Sequence, residues 1–125
     1  MVARRQALAG GVAIAMLGSV PARAFGKMAM FGLIGKMRAQ PGKRGDLIAI
    51  LLDGTAAMPG CRAYIVAEDA EEDDAIWITE VWDSAESHAA SLKLPAVQAA
   101  IAKGRPLIAG FDSQVKTRVI GGAGL

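Results

Sequence analysis

The sequence predicts an α+β fold whose elements run β-α-β-β-α-β, a ferredoxin-like antiparallel sheet with two helices on one face. Four segments have strand-type composition or alternation, two have helical spacing, and glycine, proline or acidic turns separate them.

The first strand is expected over residues 28–38 and ends at the turn signal Gln40-Pro41-Gly42. Its two glycines, Gly32 and Gly35, point to close backbone approach. From Lys43 to about Met58 the spacing becomes helical. Leu47, Ile50, Leu51 and Met58 share a face, Lys43, Arg44, Asp46 and Asp53 lie mostly off it, and Pro59-Gly60 stops the helix. Cys61 to Ala67 and Ala75 to Trp82 are β-rich runs joined through the acidic stretch from Glu68 to Asp74, a hairpin with a solvated, charged loop.

Asp83 and Ser84 can cap a second helix, and Glu86 gives it a capping-box-like start. That helix breaks near Pro95, restarts over residues 96–102 and ends at Lys103-Gly104. Residues 107–110 read as a connector, residues 112–120 alternate as a last strand, and Gly121 to Leu125 form a loose tail.

Residues 1–24 have the layout of an export signal. Arg4-Arg5 precede an apolar run from Ala7 to Val20, and Ala22-Arg23-Ala24 offers an A-x-A cleavage site. The run of 14 residues is shorter than the roughly 20 needed to cross a bilayer as a helix, so a removable signal is expected rather than a stable membrane anchor. Paired arginines before a mild Ala/Gly-rich core resemble a twin-arginine signal, which delivers folded proteins to the periplasm; a Sec signal with two arginines is the alternative. Residues 25–125 then form one domain.

Arg4, Arg5 and Arg23 leave with the signal, so 14 bases against 12 acids become 11 against 12, a net charge of −1. With no basic excess the mature chain lacks the electrostatic footprint of a nucleic-acid binder, and that class is excluded. Cys61 is the only cysteine, so no intrachain disulfide forms, and a lone thiol is more often a small buried apolar residue than a nucleophile. The acidic run has oxygen ligands suited to a divalent cation but lacks the glycine and spacing of a calcium loop, which favours a turn.

Alternation along the strand ending at Trp82 puts Ile76, Ile78, Glu80 and Trp82 on one face and Trp77, Thr79 and Val81 on the other. Both faces are largely apolar, and two helices cover only one. The other is expected to pair with a second copy, making a homodimer sheet to sheet. The space between sheet and helices, lined by Met, Ile and Trp, has the character of a small-molecule pocket.

The segment Ile78-Thr79-Glu80-Val81-Trp82-Asp83-Ser84-Ala85-Glu86-Ser87-His88 resembles the Glu-x-Trp-x-Ser signature of the antibiotic biosynthesis monooxygenase family. Ser91-Leu92-Lys93-Leu94-Pro95-Ala96-Val97 is similar to that family's short helix with a proline break, and the likeness runs from about Met28 to Ile120. The resemblance implies a dimeric α+β barrel. It also implies an oxygenase that needs neither metal nor flavin and oxidises quinols or polycyclic phenols through their own electron-rich anions. Many members place a histidine nine residues after the signature tryptophan, a position that is Ser91 here, whereas the only histidine of this chain, His88, lies six residues after Trp82. The haem-degrading branch needs a tryptophan and an axial histidine where this chain has Ser91 and Ile101, which disfavours haem chemistry.

Candidate proton-handling residues are His88, because imidazole is the side chain that ordinarily exchanges protons near neutrality, and Glu80, a carboxylate among Ile76, Ile78 and Trp82 that must find a partner or stay protonated. The expected structural partners of Glu80 are Arg118, Lys116, Arg38 or Lys36; the bland reading of His88 is a solvent-facing helix residue. Trp82 and Tyr64 are candidate pocket walls, with core packing as their alternative, and Ser91 is a candidate substrate contact without the histidine-aspartate partners of a nucleophile. Three functions compete: a cofactor-independent monooxygenase on a small aromatic molecule, a non-catalytic dimeric binding domain for an aromatic or stress-related metabolite, and a non-redox isomerase or decarboxylase.

Overall fold

A computed structural model describes residues 29–125, and the expected export signal over residues 1–24 lies outside the described residues. The chain runs β1 (Met30–Ala39), α1 (Arg44–Gly54), β2 (Cys61–Glu68), β3 (Ala75–Trp82), α2 (Ala85–Ser91), α3 (Pro95–Gly104), a 3-10 turn (Arg105–Leu107) and β4 (Ile108–Val119). The sheet order is β2-β3-β1-β4 with every pairing antiparallel, which is the expected α+β, ferredoxin-like arrangement.

Cross-strand partners share a face, so the register sorts the sheet into rows. On the helix-covered face Tyr64, Glu80, Leu33 and Lys116 form one row, and Val66, Ile78, Gly35 and Gln114 form the next. On the opposite face Ile65, Thr79, Ile34 and Val115 form a row across all four strands. The core lies on the covered side, where Leu47 of α1 packs with Ile76, Ile78 and Ala39, flanked by Met37, Leu51, Tyr64 and Val66. Helices α1 and α3 approach closely at Gly54, where a Cβ would overlap the Ala100 Cβ.

Strand β1 and helix α3 shift from the sequence reading by one or two residues at their ends, and three further differences have local reasons. Helix α1 ends at Gly54 rather than near Met58, and the Thr55 hydroxyl donates back to the Leu51 carbonyl at 2.7 Å. Pro59-Gly60 instead turns the chain into β2, with Gly60 at φ +83, a left-handed conformation that favours glycine. The helix-two cap is Ser84, whose Oγ accepts from the Ser87 N–H at 3.1 Å; Asp83 and Glu86 do not form the capping box. Strand β4 starts at Ile108, four residues earlier than expected, because register shifts opposite Lys36/Met37 and Arg38/Ala39 interrupt its alternation while pairing continues.

The acidic hairpin loop is built rather than merely solvated. Asp69 accepts from the Trp77 indole at 2.8 Å and from the Glu71 and Glu72 N–H groups at 2.9 Å each. Those bonds, the indole first, hold its carboxyl well below the usual range, at about 2. Glu72 pairs with Lys36 and Arg38. From α1, the Arg44 guanidinium donates to the carbonyls of Asp69, Glu72 and Ala75 and lies 3.3 Å from the Glu68 carboxylate. Among the described residues, no group of three or more His, Cys, Asp and Glu side chains is placed to hold a metal ion.

Candidate functional site

Glu80 and Trp82 are two residues apart on β3, so alternation turns both toward the helices. Tyr64 stands beside Glu80 on β2. Only Asp83 and Ser84 separate β3 from α2, so the Ser84 cap folds α2 back over the end of its own strand. On α2, His88 and Ser91 are three residues apart and share a face.

These five residues line one cleft of about 630 Å³, walled also by Leu47, Leu51, Met58, Val97 and Phe111. The lining is mostly apolar with a few polar groups, the usual form of a small-molecule site. All five residues singled out in the sequence are therefore brought together. Sequence reasoning missed the contribution of Ile108, Ala109, Gly110 and Phe111, because the bulges hid that part of β4; an exposed apolar Phe-containing run beside a turn was the available signal.

Glu80 Oε1 accepts from the Trp82 indole N–H at 2.9 Å and lies 3.9 Å from His88 Nε2. The first is a hydrogen bond; the second is ion-pair distance once His88 is protonated and is too long for a direct hydrogen bond. The Glu80 side chain is only 15% exposed, and none of the bases expected to pair with it does so. Alternation sends Lys36 and Arg38 to the opposite face, where Glu72 and Asp112 hold them, and Leu33 stands between Glu80 and Lys116 in their row. Arg118 lies in the row of Trp82, two strands away.

His88 is not a free surface residue. Its ring sits between Phe31, at a centroid distance of 5.6 Å, and the edge-on Trp82, at 5.5 Å. Trp82 is both core, at 1% exposure, and donor to Glu80. Ser91 is buried and its hydroxyl donates to the His88 carbonyl at 2.6 Å, which ties the two α2 residues together. Burial pushes the Tyr64 hydroxyl well above its ordinary range, helped by the Glu80 carboxylate and Cys61, so it stays protonated as a donor. Burial likewise raises the Cys61 thiol, with Glu80 adding to the effect.

Comparison with known proteins agrees with the fold. A protein of Chloroflexus aurantiacus that carries the antibiotic biosynthesis monooxygenase name is similar at 64% identity and a TM-score of 0.74, over 74% of this chain and 95% of that one. A Caulobacter crescentus protein of the same name is similar at 21% identity and a TM-score of 0.63, over 75% and 91%. SnoaB, a cofactor-independent oxygenase from Streptomyces nogalater solved in mutant form, shares the fold at 12% identity and a TM-score of 0.61, over 75% and 96%. No curated protein matches the chain. The family model for antibiotic biosynthesis monooxygenase matches residues 30–103, and the chain belongs to that family.

Proposed function

We propose that the protein is a cofactor-independent monooxygenase that oxidises a quinol or polycyclic phenol bound in the cleft over Glu80. The observation that carries this reading is the partly buried Glu80 carboxylate, held by an indole and facing His88 inside an apolar cleft. A carboxylate and an imidazole so placed can take the hydroxyl proton of a phenol, and removal of that proton makes the ring electron-rich enough to react with oxygen. Tyr64, kept protonated by burial, supplies a hydrogen bond to a substrate oxygen. For a quinol, one oxygen atom enters a ring carbon and the other leaves as water. The quinol becomes a hydroxyquinone and supplies all four electrons. The fold is shared with SnoaB, which is by name a cofactor-independent oxygenase.

The same reading includes a homodimer closed sheet to sheet. It is supported by the row Ile65, Thr79, Ile34 and Val115, in which Ile65 and Val115 are more than half exposed. It also includes export to the periplasm by the twin-arginine-like signal; mature protein found only in the cytoplasm overturns that part.

Oxygen uptake by the 25–125 protein with a panel of hydroquinones, with and without chelator, tests the activity. Chelator-resistant uptake that falls in Glu80→Gln and in His88→Ala is the expected result. Saturable binding without uptake would assign a binding domain instead, and product formed under nitrogen would assign a non-redox enzyme.

A further inference from the structure

We propose that Gly35 is a specificity-determining residue, opening a second arm of the cleft that admits an aromatic substrate of two or more rings. The inference rests on the reading of the cleft as the substrate site.

Glycine weakens a strand and normally marks a bulge or a close approach. Gly32 has such a reason: a Cβ there would overlap Thr117 Oγ1 and come within 2.7 Å of Val119 Cγ2. Gly35 has none. A Cβ at Gly35 would meet only the Ser113 carbonyl oxygen, at 3.6 Å, which is ordinary contact. It pairs with neighbours on both sides, Ile78 and Gln114, with no register shift at its position.

What the missing side chain leaves is space. Gly35 lies on the helix-covered face between Leu33 and Met37, and all three line a second cavity of about 380 Å³. That cavity meets the main cleft at Met37, Leu51, Tyr64, Glu80 and Phe111. Glu80 therefore stands at the junction of two arms, one under the helices and one over Gly35. The row containing Gly35 is one step along the strands from the row containing Tyr64 and Glu80, about 7 Å away. One ring placed beside Glu80 does not cover that span, whereas two fused rings do.

Gln114, the partner of Gly35 on β4, also lines the second arm. Its amide both donates and accepts, which suits a hydroxyl or carbonyl on the far ring. A fused aromatic of the class already proposed would then lie with its reacting hydroxyl near Glu80 and a second oxygen function toward Gln114.

The test compares benzene-1,4-diol with naphthalene-1,4-diol on the wild type, Gly35→Ala, Gly35→Val and Gly45→Ala. The readouts are kcat/KM from oxygen uptake, corrected for spontaneous oxidation, and Kd under nitrogen from tryptophan fluorescence. Gly45 lines neither cavity, and a Cβ there meets nothing within 4 Å. The two-ring over one-ring ratio is expected to favour the naphthalene in the wild type, to fall about tenfold in Gly35→Ala and further in Gly35→Val, and to persist in Gly45→Ala. An active wild type whose ratio ignores both Gly35 substitutions overturns the second arm and leaves the oxygenase reading standing. Binding without uptake, with the same shift in the Kd ratio, upholds the second arm while the oxygenase reading falls. A wild type that neither binds nor oxidises either diol overturns both.

Discussion

The indole N–H of Trp82 is bonded at 2.9 Å to the carboxylate of Glu80, its neighbour two positions back on the same face of β3. A partly buried acid in an apolar setting has here been given an aromatic donor instead of a lysine or arginine from a neighbouring strand. Trp82→Phe removes that donor and some core volume, and it should cost about 2 kcal/mol of stability in urea titration. Oxygen uptake should fall with it.

Glu80 and His88 face each other across 3.9 Å and should act as one unit. Each of Glu80→Gln and His88→Ala is expected to lower kcat by about 10²-fold or more. The double variant should fall little below the weaker single, since residues that act together are not additive. Multiplying losses in steady-state kinetics would show that the two work independently.

Asp69 gives the fold a specific weakness to acid. Its carboxyl is held at about 2, below the ordinary aspartate range, so its contribution is fully present above about pH 4 and is lost as pH falls through the folded value. Asp69→Asn should be less stable than the wild type near neutrality, with the gap closing as pH approaches about 2. Urea midpoints across that range check the sign.

The two glycines of β1 should respond oppositely to alanine. Gly32→Ala forces its Cβ into Thr117 and is expected to cost about 1–3 kcal/mol. Gly35→Ala meets only ordinary contact and should be neutral or stabilising by up to about 1 kcal/mol. Thermal or chemical denaturation of the two variants side by side decides it.

If two copies meet sheet to sheet, charges placed at Ile65 and Val115 should separate them. Ile65→Lys with Val115→Lys is expected to halve the mass seen by light scattering while the circular dichroism spectrum is kept. An unchanged mass would move the interface elsewhere.

Much of this was legible in the sequence. The bounds of β3 and the facing of Ile76, Ile78, Glu80 and Trp82 follow from period-two alternation, and the gathering of Glu80, Trp82, His88 and Ser91 follows from the strand-cap-helix order, with Tyr64 brought in by the hairpin register of β2 on β3. What stayed hidden has physical causes. The partner of Glu80 depends on which face Lys36 and Arg38 take and on Leu33 intervening before Lys116, facts of register rather than composition. The start of β4 was masked because bulges erase the alternation that marks a strand. The bracing of the hairpin by Arg44 joins residues 25 to 31 positions apart, beyond any local pattern.

Strand β3 serves two environments by parity alone: its even-numbered residues from Ile76 to Trp82 face the helices, Glu80 and Trp82 among them lining the cleft, and Trp77, Thr79 and Val81 face the other side of the sheet. One residue inserted after Ala75 would exchange the two sets, moving the carboxylate and the indole out of the cleft and Thr79 and Val81 into it. Relatives that keep this chemistry should therefore vary in length between secondary-structure elements, and β3 should tolerate substitutions far better than a change of frame.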